Sequence, residues 1–271
     1  MRFSLRVVLS CCLGLALLPS DGYSQMRYSW DHHPESEWPL LFLEGTIVPG
    51  DYQRLIEFSS TQRNFILLAQ TPMIRIDTPG GDVEEAIAIS RFIEMSSRPV
   101  AAGFFEDDVC ASACLYLVVS ASVRYFDRDR FLLHRPYINP IRLKEMTPVQ
   151  ARARQREVLR ITEDFLRDRD VPSSVIETIA RTASVDAAKM TYRQSQELGR
   201  VAGWWEEYLI ANCGLDRREL LAYKRFEESG SVAFAEANKC GVQLGIPVGL
   251  DWLEEEYSRL GVERDWGKSD N

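Results

Sequence analysis

Three short stretches of this chain carry residue types and spacing suited to acyl transfer. Asp77-Thr78-Pro79-Gly80-Gly81-Asp82 is a turn with two adjacent glycines, Cys110-Ala111-Ser112-Ala113-Cys114 sets a serine among small residues, and Phe131-Leu132-Leu133-His134 ends an apolar run on a histidine. Glycine lets a backbone N–H approach a ligand with no side chain in the way, so Gly80 and Gly81 can face a developing oxyanion. Ser112 is the candidate nucleophile and His134 its base. Each also has a plainer use: a serine can cap a helix, Pro-Gly-Gly most often only turns the chain, and a histidine in an apolar strand can be a hydrogen-bonded core residue.

The elements that must position these groups follow from pattern. Leu40 to Gly45 and Met73 to Asp77 read as short buried strands, the second stopped by Pro79-Gly80-Gly81. A helix over Asp51 to Phe58 follows Pro49-Gly50, and Val83, Ala86, Ile87, Ser90 and Ile93 fall on one face of another. Pro99 to Phe104 supplies a third strand, and strand, helix, strand points to parallel pairing through a crossover. Periodicity does not separate helix from strand over Ala111 to Ser122; a helix is expected because its small-residue start suits close packing, with Ser112 in the first turn. Arg124 to Phe126 and Phe131 to His134 read as further strands. Thr147-Pro148 starts a long helix to about Arg169, and Pro172-Ser173 a shorter one to about Ala180. From Val201 on, three helix-like blocks closed by Gly230, Gly241 and Gly261 suggest a small helical appendage over 201–271. The polar and aromatic residues 25–39 are expected to be an exposed N-terminal segment. Its His32 and His33 lack ligand spacing with other donors, so no metal is expected, nor any cofactor.

At 271 residues and 45% hydrophobic, the chain suits one sizeable core. Arg2 and Arg6 precede the apolar run Val7 to Leu18, and small or turn residues follow to Ser24. That run falls short of the ~20 residues of a membrane span, so residues 1–24 read as a cleaved signal peptide for export. Cys11 and Cys12 raise the alternative of a lipid anchor, but no convincing acylation box precedes them. Export leaves Cys110, Cys114, Cys213 and Cys240, an even set read as disulfides, Cys110 with Cys114 and Cys213 with Cys240. Disulfide pairing argues against a cysteine nucleophile. The net charge of −8 becomes −9 once Arg2, Arg6 and Asp21 are removed, and it argues against a nucleic-acid partner. The arginines between 152 and 169 are interleaved with Glu157, Glu163, Asp164 and Asp168, as on a solvated helix face.

Asp77 to Val83, a helix, a small-residue serine motif and then a strand ending in His134-Arg135-Pro136 together resemble the Clp-type and signal-peptide-peptidase-type serine proteases of the crotonase-like fold. The resemblance covers about Leu40 to Val201, with 22 positions from Ser112 to His134. It implies an α/β fold built as a ββα superhelix, a Ser–His–Asp triad, an oxyanion hole from the Pro-Gly-Gly turn and Ala113 after the serine, and frequent ring oligomers. By position ahead of Glu197-Leu198-Gly199 it implies Asp186 as the triad acid. The cysteines bracketing Ser112 depart from the cytosolic members.

These readings lead to the expectation of an exported, periplasmic serine peptidase acting on peptides or unfolded chains, with a homo-oligomer possible. An ATPase partner is not expected where ATP is scarce. A catalytically silent scaffold or binding protein on the same fold is the alternative. Acyl-CoA chemistry is weaker, because the active-site turns lack a pair of glutamates.

Overall fold

The computed structural model describes residues 24–32, 39–71, 73–95, 101–105, 107–138, 140–225 and 227–264. Residues 1–23 of the expected leader, with Cys11 and Cys12, and also His33 lie outside these residues. The chain is a mixed α/β protein. β1 (Arg27–His32) pairs antiparallel with β2 (Pro39–Glu44), and β2 lies parallel to β3 (Met73–Asp77), Leu40 opposite Met73 and Glu44 opposite Asp77. Between β2 and β3 run α1 (Asp51–Ser59) and α2 (Gln62–Gln70), the latter not foreseen although Thr61 caps it by accepting from Asn64 N–H. α3 (Val83–Met95) crosses from β3 to the parallel strand β4 (Ala101–Gly103), as its apolar face required.

Within the segment 25–39, expected to be exposed, Arg27–His32 form β1, of which Arg27, Ser29 and Asp31 are exposed. In Arg27-Tyr28-Ser29-Trp30-Asp31 the aromatic residues alternate with polar ones, the period of a half-buried strand. Trp30 stacks on Phe58 at 6.0 Å and its indole N–H donates to Asn64 Oδ1, while Tyr28 donates to the Asp51 carbonyl.

β5 (Cys110–Ala111) leads into α4 (Cys114–Val119), whose six residues are all buried, and then β6 (Val123–Tyr125) joins β4 in parallel. The first sheet therefore runs β1-β2-β3-β4-β6. α4 keeps one polar group in the core, the Tyr116 hydroxyl, which is hydrogen-bonded to Thr162 Oγ1 at 3.0 Å and pushed up to about pKa 12 by burial. After a 3-10 turn at Arg128–Arg130, β7 (Phe131–Leu133) lies parallel to β5. α5 (Pro140–Lys144), α6 (Pro148–Arg167) and α7 (Ser173–Arg181) follow, then β8 (Ala188–Lys189), which pairs antiparallel with β7 to complete a second sheet, β5-β7-β8. α6 opens with the expected Thr147 cap, here a full capping box with Gln150. β8 and α8 (Tyr192–Leu198) were not foreseen, the one being only two residues long and the other mostly polar.

α9 (Gly203–Cys213), α10 (Arg217–Lys224) and α11 (Glu228–Leu260) form the C-terminal helices. Gly230 and Gly241 lie inside α11, correcting their reading as helix ends; of the three glycines Gly261 alone ends a helix, while Gly214 caps α9. The two inside α11 mark close packing instead: a Cβ on Gly241 would lie 2.4 Å from the Trp205 ring, and one on Gly230 2.1 Å from Tyr223 N. α9, α10 and the first half of α11 share a second core of Trp205, Leu209, Leu220 and Phe234 against Val123 of the β6 edge. The second half of α11 belongs to the main core through Leu253 and Tyr257, whose hydroxyl donates to Ser59 O at 2.8 Å. It is thus no mere appendage, because one long helix spans both cores. Among the described residues no helix is long and apolar enough to cross a membrane.

Both expected cysteine pairings are present, Cys110–Cys114 with Cα atoms 5.3 Å apart and Cys213–Cys240 with 5.8 Å. The second closes a long loop between α9 and α11. Its removal in a Cys213→Ala/Cys240→Ala variant should lower stability by about 3 to 4 kcal/mol on the chain-entropy argument, read as a shift of the denaturation midpoint under non-reducing conditions.

One buried cation ties the layers together. Arg124 on β6 is 2% exposed, and its guanidinium donates from Nη1 to Leu198 O (3.0 Å) and from Nη2 to Val119 O (2.9 Å) and Arg169 O (3.4 Å). These are the last carbonyls of α8 and α4 and one just past α6, the ends where partial negative charge collects. Burial lowers the Arg124 pKa to about 10, against the opposing pull of Asp170 and Glu206.

Candidate active site

The two sheets meet where β3 runs past Asp77. Thr78 N–H donates to Val109 O and Ala111 N–H to Thr78 O, a parallel bridge that docks β5 beside the end of β3. Thr78 Oγ1 then accepts from Gly80 N–H at 3.1 Å, which fixes the turn. Gly80 has φ +91° and Gly81 φ +150°, and Gly81 pairs with Ile47: Ile47 N–H donates to Gly80 O and Asp82 N–H to Ile47 O. A Cβ on Gly81 would lie 2.0 Å from Ile47 O. Of the two glycines only Gly81 keeps an uncommitted donor, since Gly80 N–H is held by Thr78. Among the described residues no acceptor engages Gly81 N–H or Ala113 N–H.

Ser112 stands between β5 and α4, correcting its expected place in the first helical turn. Its φ of +55° is one of two positive values among described non-glycine residues, the other being Asp170. A serine in the left-handed region at a strand-to-helix turn is the local layout of a nucleophile elbow, which presents Oγ outward. Ser112 N–H donates to Leu132 O at 2.8 Å and its carbonyl accepts from Leu115 N–H. Its side chain is half-buried, and Ala113 is 1% exposed. Gly80 packs directly against this elbow: a Cβ there would lie 2.8 Å from Ser112 Cβ and 2.9 Å from Ala113 N.

His134 follows the last residue of β7. The register places Cys110 opposite Phe131 and Ala111 opposite Leu132, so Ser112 and His134 emerge from the same end of two adjacent parallel strands, ~4.8 Å apart in such sheets. This is the carboxyl end, where open α/β sheets place their ligands. The two side chains are not hydrogen-bonded to each other. His134 Nδ1 lies 3.0 Å from Arg135 O, and because a carbonyl only accepts, the neutral imidazole paired this way has its proton on Nδ1 and its acceptor at Nε2. Tyr137 stacks on the imidazole at 6.2 Å.

Asp186 lies in the turn before β8, its N–H donating to Ala183 O, and its side chain is exposed. Pairing of Leu133 with Ala188 brings this turn near the end of β7, but Asp186 makes no hydrogen bond to His134; Arg135 O occupies Nδ1 instead. On the hydrolase reading proposed below, His134→Ala should lower turnover by about a thousandfold or more, whereas Asp186→Asn should change it by less than about tenfold, both read as kcat/KM on a peptide substrate.

The loop that delivers β5 is anchored by charge. Arg75 makes a bidentate pair with Asp108 (Nη2 to Oδ1 2.6 Å, Nε to Oδ2 3.0 Å) and lies over the rings of Phe42 and Phe105. Asp77 accepts from Val109 N–H at 2.8 Å, and desolvation raises its carboxyl above the usual carboxylate range. Next to Gly81 opens a cleft of about 180 Å³ with apolar walls from Ile47, Val48, Val83, Ile138 and Val158, bordered by Tyr137. Among the described residues no cluster of three metal-ligating side chains occurs.

Sequence reasoning missed Thr78, Ile47, Leu132 and Tyr137. Thr78 carried a signal, a hydroxyl residue two positions before a glycine turn. The others act through backbone groups or ring stacking, which leave no pattern in a single sequence. No family model matches this chain, and comparison with curated proteins finds no match to it.

Proposed function

We propose that this chain is a serine peptidase-like hydrolase of the Clp type on a crotonase-like fold, exported to the periplasm and acting on peptides or loosely folded chains. The observation that carries this reading is Ser112, in the left-handed conformation and packed against Gly80 of the glycine turn, beside a turn and an elbow whose Gly81 and Ala113 N–H groups are uncommitted. Burial normally forces backbone donors to find partners, so an unpartnered N–H on a residue as buried as Ala113 points to a ligand atom. In the proposed cycle His134 Nε2 takes the Ser112 hydroxyl proton as Oγ attacks the peptide carbonyl carbon. The Gly81 and Ala113 N–H groups bind the resulting oxyanion. Collapse expels the amine, which receives its proton from His134, and water repeats the sequence to free the acid. The Arg135 carbonyl holds the imidazole in the tautomer this requires, so the site works as a Ser–His dyad.

The missing Ser112 to His134 hydrogen bond favours the second reading, a scaffold that keeps the fold without turnover. Purified mature protein incubated with fluorogenic peptides separates the two. Product release that disappears in His134→Ala supports the hydrolase. Release no faster than from that variant, in a cooperatively folded protein, supports the scaffold.

A further inference from the structure

The Cys110–Cys114 disulfide joins the positions two before and two after Ser112, the places where a tight elbow ordinarily demands glycine. Both cysteines are 0% exposed, beneath the half-buried serine. β5 ends at Ala111 and α4 begins at Cys114, so the bond ties the last strand pair to the first helical residue and leaves only Ser112 and Ala113 outside regular structure. Those two residues carry the features that a free chain would lose first: a left-handed serine and a buried N–H without an acceptor. Relaxation of Ser112 toward negative φ would re-aim Oγ and shift Ala113 N, which lies 2.9 Å from where a Gly80 Cβ would stand.

Resting on the hydrolase reading above, we infer that this disulfide is a positioning element of the reaction, holding the nucleophile and one oxyanion donor in place. Its sulfurs touch no reacting atom. Because both cysteines are shielded from solvent, the bond acts as a fixed clamp in the native protein.

The test uses the full mature chain and an alkyl fluorophosphonate, which reacts as Ser112 Oγ displaces fluoride from phosphorus and the hydroxyl proton passes to His134. The saturable reaction yields a binding constant and a maximal labelling rate. Cys110→Ala/Cys114→Ala, and Cys110→Val/Cys114→Ala as a volume-keeping second variant, should lose about tenfold or more in the maximal rate with the binding constant nearly unchanged. Cys213→Ala/Cys240→Ala, which removes the other disulfide, should label at the wild-type rate despite its lower stability. A folded 110/114 variant that labels at the wild-type rate overturns the inference. So does global unfolding of both, since the bond would then hold the fold and not the serine. An unlabelled wild type would instead count against the hydrolase reading itself.

Discussion

Gly80→Ala is expected to leave a folded protein whose Ser112 labels about a hundred- to a thousandfold more slowly, because the added methyl falls on the elbow itself. The Cβ would lie 2.6 Å from Ala111 O, 2.8 Å from Ser112 Cβ and 2.9 Å from Ala113 N, on a backbone at φ +91° that alanine adopts only under strain. None of these neighbours is the free end of a flexible side chain. Ala111 is held by Thr78 O, Ser112 by Leu132 O, and Ala113 by the packing of a fully buried helix. The elbow must therefore shift as a unit, carrying Oγ and the Ala113 N–H out of register with Gly81. Gly214→Ala is the fitting control. Gly214 also has positive φ, +70°, but a Cβ there meets nothing within 4 Å, so only a modest stability loss and unchanged labelling are expected.

The largest effect on stability is expected at Arg124. Arg124→Met keeps a long apolar stem but strands the carbonyls of Val119, Leu198 and Arg169 in the interior. Each loses its donor where water does not readily replace it. Removing one partner from a buried charged network typically costs ~3–5 kcal/mol, and a loss of that size is expected in chemical denaturation. The three stranded groups lie at the ends of α4, α8 and α6, so their loosening should also reach the site through α4. A midpoint within experimental error of wild type would mean that the helix ends find other donors.

Much of this arrangement was legible in the sequence where local chemistry decides structure. β3 falls on Met73–Asp77 as the stop at Pro79-Gly80-Gly81 predicted, and Thr147-Pro148 starts α6. The cysteine pairings followed from an even set split between two regions. What could not be read depended on long-range packing. Ser112 is drawn out of the helix by Leu132 O, a partner 20 positions away, and no local periodicity encodes that bond. Gly230 and Gly241 look like helix ends because glycine is a poor helix former, yet α11 keeps both to let α10 and Trp205 approach. β1 was missed for a different reason: its two-residue alternation rests on Tyr28 and Trp30 alone, too short a run to stand out from the polar residues around it. At the candidate site, the types of Ser112 and His134 and the glycine turn were visible, whereas the physical reason to favour the Gly81 N–H over that of Gly80, its engagement by Thr78 Oγ1, was not. Asp186 was placed by resemblance alone; the structure shows its side chain exposed and without a hydrogen bond to His134, whose Nδ1 lies 3.0 Å from Arg135 O.

The most direct test of the central claim is mass spectrometry of the purified protein after reaction with a fluorophosphonate. The account predicts one adduct per chain, located on the peptide that contains Ser112, and no adduct in Ser112→Ala. An adduct on another residue, equal labelling of Ser112→Ala, or an unlabelled but cooperatively folded wild type would contradict it.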